Sequence, residues 1–200
     1  MTLRTTEEIR AVGFTVKSGW AAAVLVGGAA SSPRVIDSRT VELSDPSIPD
    51  SRQPYHDGFG TARESGAALS RLVESVRRFG RTSVTAVIKQ YEAEGHPLSG
   101  AGMVVGSTID PDRIANGHIR IHALEGRLFR GVMEDAAARC GLPCCIWRER
   151  DLYGAGASAL QRPELELRCA ISALGRSSRS PWRAEQKAAA LAAWLVLATK

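Results

Sequence analysis

The segment AVGFTVKSGWAAAVLV, residues 11–26, is the most informative part of the sequence for the fold. Small and β-branched apolar residues run through it with one interruption, at Lys17-Ser18-Gly19. After the turn residues Gly27-Gly28 and Ser31-Ser32-Pro33, apolar and polar side chains alternate from Arg34 to Leu43. A continuous apolar run is typical of a strand covered on both faces, and alternation is typical of a strand with one face in water. The segment therefore predicts a β-hairpin of two strands.

Periodicity and turn residues predict the elements downstream. Thr61, with Glu64 three residues later, is a capping-box pattern, so we expect a helix from Thr61 to a stop at Gly80. The β-branched run Val84–Ile88 predicts a buried strand. Further strands are expected at 103–105 and 144–147, and further helices at 118–140 with Asn116 as N-cap, within 153–175, and at 183–198. Strands that alternate with helices after an antiparallel start predict an α/β fold, a mixed sheet flanked by helices, in one domain over residues 1–200.

Residues 44–60 are expected to form a long loop between the hairpin and the first helix. They include three prolines together with Tyr55, His56 and Asp57. Loops of this length in compact domains are often functional, so these side chains are candidates for the rim of a ligand cleft. The same residues are also ordinary turn formers, and this alternative stays open.

The composition fits a folded domain rather than a disordered, exported or membrane-spanning chain. It is 44% hydrophobic and 24% charged, with both signs of charge, which is too apolar for general disorder. The N-terminal ten residues are polar and no apolar signal core follows them. The apolar stretch 188–199 is shorter than the roughly 20 residues that span a bilayer. We therefore expect a cytoplasmic protein without a membrane partner, in which Cys140, Cys144, Cys145 and Cys169 are reduced.

Positive charge is carried almost entirely by arginine. Of 26 Lys+Arg only four are lysines, and the formal net charge is +5. Arginine suits phosphate recognition, although a GC-rich coding genome produces the same bias. The loop GRSSRSPWR, residues 175–183, combines flexible arginines with one tryptophan, which suits phosphate contact and base stacking. The residues expected to bind nucleic acid are Arg120, Arg176, Arg179 and Arg183.

The most specific local pattern is His118-x3-His122-x2-Glu125. On one helix these three side chains lie within about 60° of one another. Two imidazoles and a carboxylate are workable ligands for zinc or iron, so the spacing predicts a divalent-metal site. No fourth ligand has a fixed spacing, although loop residues offer candidates, namely His56, His96, Asp110 and Asp112. Because the pattern borders an apolar stripe, a half-buried hydrogen-bonded network is the more frequent alternative.

Four segments carry a family resemblance. They are GFTVKSGWAA at 13–22, the helix 62–80 with the run 84–88, ALEGRLFRG at 123–131 leading to Gly141-Leu-Pro143, and the Ala-rich segment 184–197. In this order they resemble the first strand, the first helix and fourth strand, the next helix, and the closing helix of RuvC-type Holliday-junction resolvases. The resemblance implies a ribonuclease H-like mixed β-sheet flanked by helices, and association with nucleic acid.

The resemblance also implies a catalytic site from which this chain departs. Resolvases of this type hold two divalent metal ions with clustered carboxylates, since hard oxygen ligands suit Mg²⁺. Thr15 matches the family's first-strand aspartate, and the carboxylate after the fourth strand falls at Lys89 or Gln90, near Glu92 and Glu94. The closing helix offers Glu185, then Gln186 and Lys187. These replacements argue against a conventional two-metal nuclease.

Three functions follow from these observations. The leading prediction is a non-catalytic protein associated with nucleic acid, for which a homodimer is a further expectation. The first alternative is a metal-dependent enzyme, a hydrolase or nuclease, with a site rebuilt around His118, His122 and Glu125. The second alternative is a protein-interaction scaffold without a nucleic-acid role.

Overall fold

A mixed five-stranded sheet forms the centre of the molecule. A computed structural model describes residues 9–57, 62–63, 65–177 and 181–199, apart from the side chain of Ser177. Within these ranges the strands are β1 (Arg10–Lys17), β2 (Trp20–Ala29), β3 (Ser32–Glu42), β4 (Leu98–Val105) and β5 (Cys144–Arg148). Their order in the sheet is β3-β2-β1-β4-β5. The pairs β1–β2 and β2–β3 are antiparallel, and the pairs β1–β4 and β4–β5 are parallel, as the α/β prediction required.

The apolar run 11–26 forms two strands rather than one. Lys17 pairs with Trp20, so the interruption in the run is a tight turn. Gly19 in that turn has φ 81°, a conformation that side chains other than glycine rarely adopt. The prediction of a two-stranded hairpin was therefore wrong in its strand count, because it treats the break Lys17-Ser18-Gly19 as an interruption within one strand and not as a turn between two. The structure has a meander of β1, β2 and β3.

Helix α1 (Ala67–Ala93) is longer than the sequence suggested. It continues through Gly80, and the predicted strand Val84–Ile88 is wrong because this segment is helical. Val76, Val84 and Ile88 are buried on one face of the helix, at a spacing that fits a helix as well as a strand. Gly80 serves packing rather than termination, since a Cβ there would lie 2.8 Å from Val132 Cγ1 and 2.9 Å from the Leu43 carbonyl oxygen. The predicted cap Thr61 and its partner Glu64 lie outside the described residues.

The remaining helices are α2 (Gly117–Arg139), α3 (Leu152–Leu160), α4 (Glu164–Leu174) and α5 (Ala184–Ala198). Asn116 caps α2 as predicted, with its side chain accepting from the Ile119 N–H at 3.1 Å. Helices α1 and α2 pack against each other over one face of the sheet, and α5, with α3 and α4 beside it, covers the other.

Small residues bring α5 close to the sheet. A Cβ on Gly13 of β1 would lie 1.8 Å from the Ala189 carbonyl oxygen, and one on Gly102 of β4 would lie 2.6 Å from that of Ala192. The alanine content of α5 therefore reflects contact between helix and strand backbones. Although α5 is buried along most of its length, no helix among the described residues is long and apolar enough to cross a membrane.

Candidate functional site

The carboxyl ends of the parallel strands β1 and β4 lie together at one edge of the sheet. Ligand sites of open α/β sheets are usually found at such an edge. Helix α5 also begins here, since its second residue, Glu185, accepts a hydrogen bond at its carbonyl oxygen from Thr15 Oγ1 of β1, at 2.8 Å. A cleft of about 340 Å³ opens between the strand ends and α2. We refer to it as the strand-end cleft.

The strand-end cleft is mainly apolar, with one fixed positive charge. Val16, Val105 and Phe129 line it, together with Lys17 and His122. None of the described side chains that line it is a carboxylate. The Lys17 ammonium is 3.0 Å from Glu149 Oε2, outside the lining, so that carboxylate is engaged in an ion pair. This set of donors does not fit a pair of divalent metal ions, which require several oxygen ligands.

The structure corrects one alignment made from the sequence. Because β4 is Leu98–Val105, the residues after the fourth strand are Gly106 and Ser107. Lys89 and Gln90 instead lie on the exposed side of α1. The prediction that these two residues follow the fourth strand was therefore wrong, because the segment expected to form that strand is part of α1.

The first turn of the closing helix carries one carboxylate, Glu185, followed by Gln186 and Lys187. Gln186 is buried and its Oε1 accepts from the Arg183 N–H at 3.1 Å, which caps the start of α5. Lys187 lines a separate groove that it shares with Glu149 and Arg168. Glu185 meets the strand end through its backbone, as the acceptor for Thr15.

The predicted metal residues belong to a chain of polar contacts that includes a fourth residue, His56. His118 Nε2 and His122 Nε2 are 3.2 Å apart on α2. The His122 ring lies 5.1 Å from the His56 ring, centroid to centroid, and His56 Nδ1 is 3.2 Å from Glu125 Oε1. The contacts therefore run from Glu125 through His56 and His122 to His118. Among the described residues, no group of three or more His, Cys, Asp or Glu side chains has a geometry that holds a metal ion.

Glu125 is the most perturbed residue of this chain of contacts. Its side chain is only 1% exposed, and its Oε1 accepts from the Tyr55 N–H at 2.9 Å. Oε2 is buried and has no hydrogen-bond partner among the described residues. Burial raises the pKa of Glu125 to about 7, and the hydrogen bond from Tyr55 opposes that change. Partial burial, followed by the neighbouring His118 and His56, lowers the pKa of His122.

The predicted nucleic-acid residues are distributed over several surfaces. Arg120 of α2 lines a recess with Arg63, and Arg183 precedes α5 at the strand-end edge. Arg176 follows α4 and lines a groove that Trp194 also lines. Because Trp194 is eleven residues after Arg183, this groove lies roughly 16 Å along α5 from Arg183. Arg179 lies outside the described residues.

Two arginines that the sequence did not single out share the groove of Arg176. They are Arg34, from β3, and Arg162, from the turn between α3 and α4. Neither stands in an arginine-rich segment, so no local signal marks them. They meet Arg176 only because α4 and α5 pack beside the β2–β3 turn.

Comparison with known proteins identifies the fold. No protein-family model matches the chain, and no curated protein matches it in sequence. The structure of Thermus thermophilus RuvC is similar with a TM-score of 0.57 and 12% identity, over 94% of this chain and 92% of that one. T. thermophilus RuvC in complex with a Holliday junction substrate gives a TM-score of 0.55 and 13% identity, over 94% and 91%. With its five-stranded mixed sheet flanked by helices, the chain has the RuvC-type ribonuclease H-like fold.

Proposed function

We propose that the protein binds nucleic acid through a RuvC-type fold and does not cleave it. The proposal that the protein does not cleave nucleic acid rests on the environment of Thr15. This residue lies on β1 at the strand-end edge, it is 1% exposed, and its hydroxyl is engaged by the backbone of α5. A buried hydroxyl that already donates to a carbonyl oxygen is a poor substitute for a metal-bridging carboxylate.

The surroundings of Thr15 support the same conclusion. Lys17, two residues later, lines the strand-end cleft and pairs with Glu149, so this nearby carboxylate is held by an ammonium group rather than available to a divalent cation. The segment that follows β4 supplies Gly106 and Ser107 in place of an acid. The cleavage chemistry of two-metal nucleases depends on ligands that these positions do not provide.

The binding half of the proposal rests on charge and on fold. The net charge is +5, and arginine is the main basic residue. One of the similar structures was solved with a Holliday junction substrate. Binding through arginine–phosphate contacts is largely independent of base sequence and weakens with salt, because each contact releases condensed counterions.

A direct test measures the anisotropy of a fluorescent four-way junction, and of a duplex, between about 50 and 200 mM salt. We expect binding whose logarithmic affinity falls linearly with the logarithm of the salt concentration. Absence of binding, or binding insensitive to salt, overturns the proposal. In parallel, the bound junction is incubated with Mg²⁺ and then denatured, and we expect intact strands.

A second candidate function rests on the histidine pair. The 3.2 Å between His118 Nε2 and His122 Nε2 is short enough for both nitrogens to contact one metal ion, at Zn–N distances of about 2.0–2.1 Å. As the second candidate we propose a metal-dependent activity that uses this pair. Metal analysis of the purified protein tests it: stoichiometric metal that disappears in His118→Ala/His122→Ala supports this candidate, and metal that remains in the variant overturns it.

A further inference from the structure

A groove of about 410 Å³ lies at the edge of the molecule opposite the strand-end cleft. The strand register sets this location, because Gly27 near the end of β2 pairs with Arg10 at the amino end of β1. The β2–β3 turn follows, and Ala30 in that turn accepts a hydrogen bond from Trp194 Nε1 at 2.8 Å. We call this feature the arginine groove, after Arg34, Arg162 and Arg176 in its lining.

The charge of the arginine groove is of one sign. Three arginines line it and no carboxylate does, among the residues that the structure describes. Arg162 and Arg176 have no ion pair within the described ranges. Two other groove-lining arginines differ, since Arg81 and Arg127 are paired with aspartates. The guanidinium groups of Arg162 and Arg176 therefore face one groove without a compensating carboxylate, which attracts an anion.

The position of Arg162 is fixed by an aromatic contact. Its guanidinium carbon lies 5.5 Å from the centroid of the Trp194 ring, within the range of a cation–π interaction. This contact lowers the entropy that Arg162 loses when it binds a ligand, because the side chain is already held at the groove. Arg34 and Arg176 are exposed and reach the same groove from β3 and from the end of α4.

The apolar wall determines which part of a nucleic acid fits. The apolar residues Ala170 and Leu174 line the groove together with the arginines. Trp194 is only 1% exposed and its Nε1 is already bonded, so its ring is not free to stack on a base. The accessible chemistry is therefore guanidinium and aliphatic carbon, which suits phosphate and sugar rather than base edges.

We propose that the arginine groove binds the phosphodiester backbone of a nucleic acid, with Arg34, Arg162 and Arg176 as its phosphate contacts. This inference rests on the proposed function and adds to it the surface that makes the contact. That surface lies away from the strand-end cleft, near the amino end of β1.

The test compares two variants with the same loss of charge. Arg162→Gln/Arg176→Gln changes the groove, and Arg71→Gln/Arg78→Gln changes two exposed arginines of α1. Glutamine keeps much of each aliphatic stem, so packing against Trp194 is largely preserved. The probe is a fluorescent DNA duplex titrated across the same salt range as above.

We expect the groove variant to bind more weakly and to lose nearly two units from its salt slope, at about 0.9 per phosphate contact on duplex DNA. The α1 variant is expected to keep most of the wild-type slope. Arg162→Lys/Arg176→Lys should restore much of the slope because the charge remains, and thermal melting shows whether each variant is folded. If the wild type binds and the two glutamine variants do not differ, the groove inference is overturned while the proposed function stands. If the wild type binds no nucleic acid, both are overturned.

Discussion

Replacing Glu125 by glutamine is expected to change how stability depends on pH. Glu125 is buried against the loop that carries Tyr55 and His56, and burial raises the pKa of its carboxyl to about 7 from 4.5. Between these two values the folded chain holds the proton more tightly than the unfolded chain. The free energy of unfolding therefore falls as pH rises from about 4.5 to about 7, and the loss is complete above 7.

The size of this effect follows from the difference between the two pKa values. One pKa unit corresponds to about 1.4 kcal/mol, so the buried carboxylate costs about 3 kcal/mol of stability above pH 7. Glutamine has the same shape and still offers an oxygen to the Tyr55 N–H, but it does not ionise. Glu125→Gln and wild type should be similarly stable near pH 4.5, and the variant should be more stable by about 3 kcal/mol at pH 8.

Urea denaturation in EDTA at pH values from 4.5 to 8 measures this difference. Glu42→Gln, on an exposed residue of β3, removes the same charge at the surface and should stay within about 0.5 kcal/mol of wild type throughout. A Glu125→Gln difference that stays constant with pH, or that favours the wild type at pH 8, would show that the Glu125 carboxyl does not hold its proton more tightly in the folded chain.

Further predictions concern packing and thiol chemistry. Gly13→Ala forces a Cβ to within 1.8 Å of the Ala189 carbonyl oxygen, so we expect a loss of about 1–3 kcal/mol or more and a melting temperature lower by at least several degrees. Gly131→Ala on the open side of α2 should instead raise stability by up to about 1 kcal/mol, and equal losses in both variants would contradict this account of α5. Among the cysteines, the exposed Cys145 and Cys169 should react first with a thiol reagent at pH 8. Cys144 should react slowly, because burial raises its pKa to about 12. Mass spectrometry of the modified peptides measures the order of reaction, and early modification of Cys144 would contradict this prediction.

The sequence predicted the elements whose signals are local. The apolar run 11–26 placed the central strands, Asn116 marked the start of α2, and the alanines of 184–197 marked the helix that packs closely on the sheet. Val84–Ile88 misled the prediction because β-branched residues four apart fit both a strand and one face of a helix. Gly80 was expected to end the helix, but glycine is needed there because the backbone packs closely against Leu43 and α2.

The candidate sites were harder to predict because they depend on distant segments. Glu125 was expected beside His118 and His122, but the 44–57 loop folds over α2 and brings Tyr55 and His56 to its carboxylate. Nothing within a few residues of Glu125 indicates that contact.

We propose above that the protein binds nucleic acid with a RuvC-type fold and leaves it intact. The most direct measurement incubates an end-labelled four-way junction with excess protein and Mg²⁺, under conditions in which anisotropy shows the junction to be fully bound. The strands are then separated on a denaturing gel. We expect full-length strands at every time point. Shorter products that accumulate with time and disappear in EDTA would show that the protein cleaves the junction.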